Sequence, residues 1–128
     1  MENDAHPTLG NGKICYLEIP AVDVARSSKF YETVFGSKVR RRGDGSVAFD
    51  DGVGEVSGTW MKGWKPNTDP AVIIHIMVDS MDETLKAVVA NGGRIVQNVG
   101  MHAPEITARF SDPAGNIFGL YQQSKGTK

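Results

Sequence analysis

The chain has 128 residues, with 14 Lys and Arg against 15 Asp and Glu, and is 40% hydrophobic. That length buries about two thirds of the unfolded surface, enough for an ordinary core without disulfides or a structural zinc. A net charge of −1 supplies no broad field for nucleic acid or an anionic membrane, which leaves a small molecule or another protein as the expected partner. The single cysteine, Cys15, excludes an intramolecular disulfide and a multi-cysteine zinc site. The first residues lack the basic-then-apolar order of a signal peptide, and no run of about 18 apolar residues could span a bilayer, so a cytoplasmic location is expected.

Residues 1–12 are polar and rich in turn formers, and read as a loose arm containing His6. Lys13 to Pro20 alternates Cys15, Leu17 and Ile19 with Tyr16 and Glu18, the period of a strand. Asp23 stands where a helix N-cap belongs, ahead of VARSSKFYETVFG, and Gly36 supplies the stop. KVRRR, the turn at Gly43 to Gly45 and SVAFDD read as a hairpin. GEVSGTWMKG reads as a further strand before the linker KPNTDP. The order is then repeated: AVIIHIMV is a strand, SMDETLKAVVANGG a helix opened near Asp79, and RIVQ resumes extended structure.

A shift of 57 residues superposes Leu17 on Ile74, Ile19 on Ile76 and Gly36 on Gly93; a shift of 61 superposes FDDGVGEVSGTW on FSDPAGNIFGLY. Extra residues in the loop Asn98 to Glu105 account for the difference. The expected fold class is α+β: two tandem βαβββ modules, about 13–64 and 70–123, within one domain spanning 1–128 and with 124–128 loose. Each module covers one sheet face with its helix, and the sheets together form a curved, mixed surface with a concave cavity.

With IPAVDVARSSKFYETVFG, VDSMDETLKAVVANGGRIV and FSDPAGNIFGLYQ in place, the chain resembles the vicinal oxygen chelate superfamily, the glyoxalase/bleomycin-resistance/dioxygenase-like proteins, over roughly residues 13 to 123. The resemblance implies a homodimer. It also implies up to four metal-ligand positions on inner strands, which fall here on Tyr16, Gly58, Ile73 and Gly119. Glycine and isoleucine carry no donor and a lone phenol is a poor ligand, so no metal and no other cofactor is expected.

Strand alternation gives an inward set of Tyr16, Glu18, Val56, Gly58, Trp60, Ile73, His75, Met77, Ile117, Gly119 and Tyr121, an aromatic and apolar lining, with His102 on a loop that could cover it. The primary expectation is therefore a protein that binds a small aromatic or hydrophobic molecule without metal. One alternative is a glyoxalase-like lyase or isomerase acting on a small carbonyl or hydroxy compound, with Glu18 and His75 as an acid–base pair; another is a dimeric structural or regulatory protein with a vestigial pocket. Lys38 and Arg40 to Arg42 read as solvated edge charge, and Arg109 has two candidate partners, an acidic ligand or Glu105.

Overall fold

The computed structural model describes residues 7–123; His6, residues 1–6 of the expected loose arm and the expected loose end 124–128 lie outside that range. The chain divides into two compact units, Met1–Trp64 and Lys65–Lys128. The first carries β1 (Tyr16–Ala21), α1 (Val24–Phe35), β2 (Lys38–Arg41), β3 (Val47–Asp50) and β4 (Ser57–Lys62). The second carries β5 (His75–Met77), α2 (Met81–Ala90), β6 (Arg94–Gln97), β7 (Ile106–Ser111) and β8 (Ile117–Gln122). Each sheet has four strands, ordered β1-β4-β3-β2 and β5-β8-β7-β6, so the α+β class and the repeated βαβββ order are both present. In each sheet the first and last strands of the unit run parallel, and the other pairs are antiparallel.

The local signals act as their chemistry dictates. Asp23 caps α1 by accepting from the Arg26 N–H at 3.2 Å, and Gly36 closes it in the left-handed region at φ 74°, where a side chain would be strained. The second helix starts one residue later than expected: Ser80, not Asp79, is its N-cap, accepting from the Glu83 N–H at 3.2 Å. Gln122 at the end of β8 accepts from the Met81 N–H at 2.6 Å, which ties the helix start to the sheet. β5 is also shorter than the apolar run AVIIHIMV suggests, because only three of its residues pair with β8.

Each unit packs its helix on one sheet face. In the first, Ile19, Ala21, Phe49 and Trp60 are buried with Phe30 and Tyr31 of α1, and Trp60 contacts Tyr31 and Phe49 with ring centroids 6.0 and 4.8 Å apart. In the second, Phe110, Phe118 and Leu120 are buried with Met81 and Val88 of α2, and Phe110 stacks on Phe118 at 5.9 Å. Such burial is the main favourable contribution to each unit.

The two β-turns that feed the last strand of each unit share a device. Asp51 accepts from the Glu55 N–H at 2.8 Å, and Asp112 accepts from the Ala114 and Asn116 N–H groups at 3.0 and 2.9 Å. Gly54 and Gly115 both have positive φ. The turns differ in length. Asp50 pairs with Ser57 across the first, leaving six residues between them, whereas Ser111 pairs with Ile117 across the second, leaving five.

Two stability measurements follow. Phe110→Ala removes a fully buried ring and is expected to cost about 3–5 kcal/mol in denaturant unfolding. Asp50 receives two hydrogen bonds from Arg40, at 3.1 Å each, and one from Ser57 at 2.7 Å, and these hold its carboxyl below the usual range. A lowered folded-state pKa contributes stability that is present above the unfolded carboxylate pKa and lost as pH falls through the folded one. Asp50→Asn should therefore flatten the acid limb of a stability-versus-pH curve; an unchanged limb counts against the linkage.

Candidate functional site

The helix covers one face of each sheet, so the other face is where side chains can meet a ligand. Residues directly paired across strands point to the same side, and register decides membership. In the second unit His75 pairs with Gly119 and Met77 with Tyr121, while Gly119 and Tyr121 also pair with Arg109 and Thr107 of β7. The helix-free face thus carries His75, Met77, Ile117, Gly119 and Tyr121, together with Thr107 and Arg109. Met77 is 69% exposed, a large apolar side chain left open. Ile73 is half-buried two residues ahead of β5, and His102 is exposed in the loop between β6 and β7, where its carbonyl accepts from the Glu105 N–H at 2.9 Å.

In the first unit the register departs from the expected set. Tyr16 pairs with Ser57 and Glu18 with Thr59, whereas Gly58 pairs with Leu17 and Trp60 with Ile19. Tyr16 and Glu18 therefore share the helix-free face with Ser57 and Thr59. Gly58 and Trp60 lie on the helix side instead, with Trp60 in the core. The cause is the longer turn before β4: one additional residue moves every following side chain to the opposite face. Thr59, not Gly58, is the structural counterpart of Gly119, and its hydroxyl donates to the Val47 carbonyl at 2.7 Å. Sequence reasoning missed Thr59, Thr107 and the face assignment of Arg109; the turn lengths, six against five, that turn Thr59 outward are set by strand pairing, and the two segments align in the sequence without a gap.

The two glycines differ accordingly. A Cβ on Gly58 would lie 2.5 Å from both the Leu17 carbonyl oxygen and the Phe49 ring, so this glycine makes room for the core. A Cβ on Gly119 would lie 2.5 Å from Cδ2 and Nε2 of His75, so the imidazole of His75 rests over Gly119. Tyr16 is 39% exposed and has the Arg42 guanidinium 5.4 Å from its ring centroid. Arg41 donates to the Gly45 carbonyl at 3.1 Å and Arg40 holds Asp50, so the basic hairpin is occupied with its own structure. Glu18 and His75 are in different units, each exposed on its own sheet.

The family profile of the glyoxalase/bleomycin resistance protein/dioxygenase superfamily matches residues 13–120. The chain belongs to this superfamily. A glyoxylase-like domain-containing protein of Didymella fabae is 32% identical over 128 aligned residues, 86% of this chain and 93% of the relative. Among solved structures, the fosfomycin resistance protein FosX of Listeria monocytogenes has a TM-score of 0.73 at 17% identity, covering 89% of this chain and 93% of that one. A glyoxalase/bleomycin resistance protein/dioxygenase family enzyme of Burkholderia phytofirmans PsJN has a TM-score of 0.69 at 18% identity, covering 84% and 95%. These structural likenesses speak for the fold.

The metal that the superfamily resemblance implies is not matched by the residues present. With the register corrected, the four positions hold Tyr16, Thr59, Ile73 and Gly119, of which none is a carboxylate or imidazole. Among the described residues no group of three or more His, Cys, Asp and Glu side chains is placed to hold an ion. Neutral hydroxyls and apolar side chains do not make a site for a divalent transition metal at neutral pH.

The two glycines can be told apart by substitution. Gly58→Ala drives a methyl into backbone and a packed ring and should cost about 1–3 kcal/mol in chemical denaturation. Gly119→Ala meets only the end of an exposed side chain, so its stability should change by less than about 1 kcal/mol, while the His75 ring resonances shift in NMR spectra. Equal destabilisation by both would contradict the face assignment.

Proposed function

We propose that this protein binds a small organic molecule with an aromatic or hydrophobic body against the helix-free face of its sheets, without a metal ion. The observation that carries the reading is the arrangement at Gly119. A position that the superfamily resemblance assigns to a metal ligand has no side chain, and the imidazole of His75 occupies the space a side chain would need. Around it stand Met77, Ile117 and Tyr121, which offer apolar and aromatic surface in place of donors. Tyr16 supplies similar chemistry on the first sheet. The Tyr121 hydroxyl donates to the Gln123 side chain at 3.3 Å, leaving the ring as its contact surface.

The superfamily places binding proteins and enzymes on one fold, and fold alone does not choose between them. Binding is favoured because neither Glu18 nor His75, the residues an acid–base reaction would use, has a hydrogen-bonded partner side chain among the described residues that would orient it. A cytoplasmic homodimer is the proposed working form. No described helix is long and apolar enough to cross a membrane, which is compatible with that setting.

A thermal-shift screen of aromatic and hydrophobic compounds, run with and without EDTA, tests the reading. A ligand at about 100 times its Kd should raise stability by roughly 2.7 kcal/mol, and the shift should be the same in chelator. NMR of each stabilising compound should show it unchanged after incubation. Stabilisation that disappears with EDTA, or conversion of the compound, would replace binding with metal-dependent or lyase chemistry.

A further inference from the structure

We infer that the ligand bound on the second sheet carries an anionic group, a carboxylate or phosphonate, held by Arg109 with His75 and Thr107; the inference rests on the proposal that this face binds a small molecule. Three adjacent strands set the geometry. His75, Gly119 and Arg109 are paired in one row across β5, β8 and β7, and Met77, Tyr121 and Thr107 form the next row on the same face. Neighbouring strands are about 4.8 Å apart, so the backbones of His75 and Arg109 stand roughly 10 Å apart on either side of a glycine. A residue without a side chain between two long ones leaves a trough floored by backbone. The His75 ring leans into that trough, with Nε2 2.5 Å from where a Gly119 Cβ would stand.

Arg109 is the arginine that stands out. The chain has six arginines, and Arg26, Arg40, Arg41, Arg42 and Arg94 are all exposed, whereas Arg109 is half-buried. The ion pairs among the described residues join Lys13 to Glu55 and Arg40 to Asp50, so Glu105 is not the partner of Arg109. Its paired neighbours bring no carboxylate: Gly119 lies on one side and Gln97 on the other. A half-buried guanidinium with no carboxylate on either paired strand is available to an anionic group of a ligand, and its planar fork of donors fits a carboxylate or phosphonate in two parallel bonds. One row away, the Thr107 hydroxyl is buried and has no hydrogen-bond partner among the described residues. A ligand anion seated between the His75 ring and Arg109 would be offered the Arg109 fork, a His75 ring N–H and, one row away, the Thr107 hydroxyl, with Tyr121, Ile117 and Met77 beside its apolar body.

The test compares benzoate and phenylphosphonate with the neutral benzamide, titrated into isotopically labelled protein and followed by backbone and side-chain NMR. Both anions should bind about tenfold or more tightly than benzamide, the difference expected of a charge-assisted hydrogen bond, and should move the resonances of residues 75, 107, 109, 119 and 121. Arg109→Gln should remove that preference while leaving benzamide binding in place, and Arg109→Lys should keep part of it. Equal wild-type affinities for benzoate and benzamide, or an anion preference that survives Arg109→Gln, would overturn the inference and leave small-molecule binding standing. If none of the three probes perturbs this face, the binding reading and the inference fail together. Should Arg109→Gln not fold, the wild-type comparison and Arg109→Lys decide.

Discussion

In a β-strand the side chain changes face with every residue, so the number of residues in the turn before a strand determines which of its side chains reach the core and which face outward. The last strand of each unit is governed in this way. It lies between the first strand and the hairpin of its sheet, pairs with both, and supplies the middle of the surface on each face. The turn before it is anchored by a buried or half-buried aspartate that accepts from the backbone four residues on, Asp51 in one unit and Asp112 in the other. With the turn held at both ends, its length passes directly into the register of β4 and β8. Six residues in one and five in the other give the two units opposite choices at otherwise similar sequences.

That difference explains the division of labour between the sheets. In the first unit the slip carries Trp60 into the core, where it meets Tyr31 and Phe49, and requires a glycine at 58 beneath the Phe49 ring. The helix-free side of β4 is left with Thr59, whose hydroxyl is already engaged by the Val47 carbonyl. In the second unit the shorter turn sends Phe118 and Leu120 to the helix and leaves Gly119 and Tyr121 outward. The chemically open surface is accordingly on the second sheet, with His75 on one flank of Gly119 and Arg109 on the other.

Much of this was legible in the sequence. Capping residues such as Asp23 and Gly36, and the strand-like alternation around Leu17 and Ile19, are local signals whose physics does not depend on the rest of the chain. The duplicated order was visible because both halves must solve the same burial problem. The facing of Gly58 and Trp60 was not, since aligning FDDGVGEVSGTW with FSDPAGNIFGLY places glycine on glycine, and the structure instead aligns Gly119 with Thr59. Similar residue types favoured one alignment, while backbone pairing follows the other. The setting of Arg109 was also out of reach, because an arginine between an alanine and a phenylalanine in a sequence does not reveal whether a carboxylate stands across the next strand.

The contact between the His75 ring and the space above Gly119 makes the two positions interdependent. A carboxylate or imidazole at 119, the change that would begin a metal site, would collide with His75 as it now stands. The exposed His75 ring can turn away for a methyl group, but a longer side chain at 119 competes with it for the same space, so the two positions are coupled. In mutational terms the positions are epistatic: the cost of a side chain longer than alanine at 119 depends on the residue at 75. A combinatorial library varying 75 and 119 together would reveal that dependence directly.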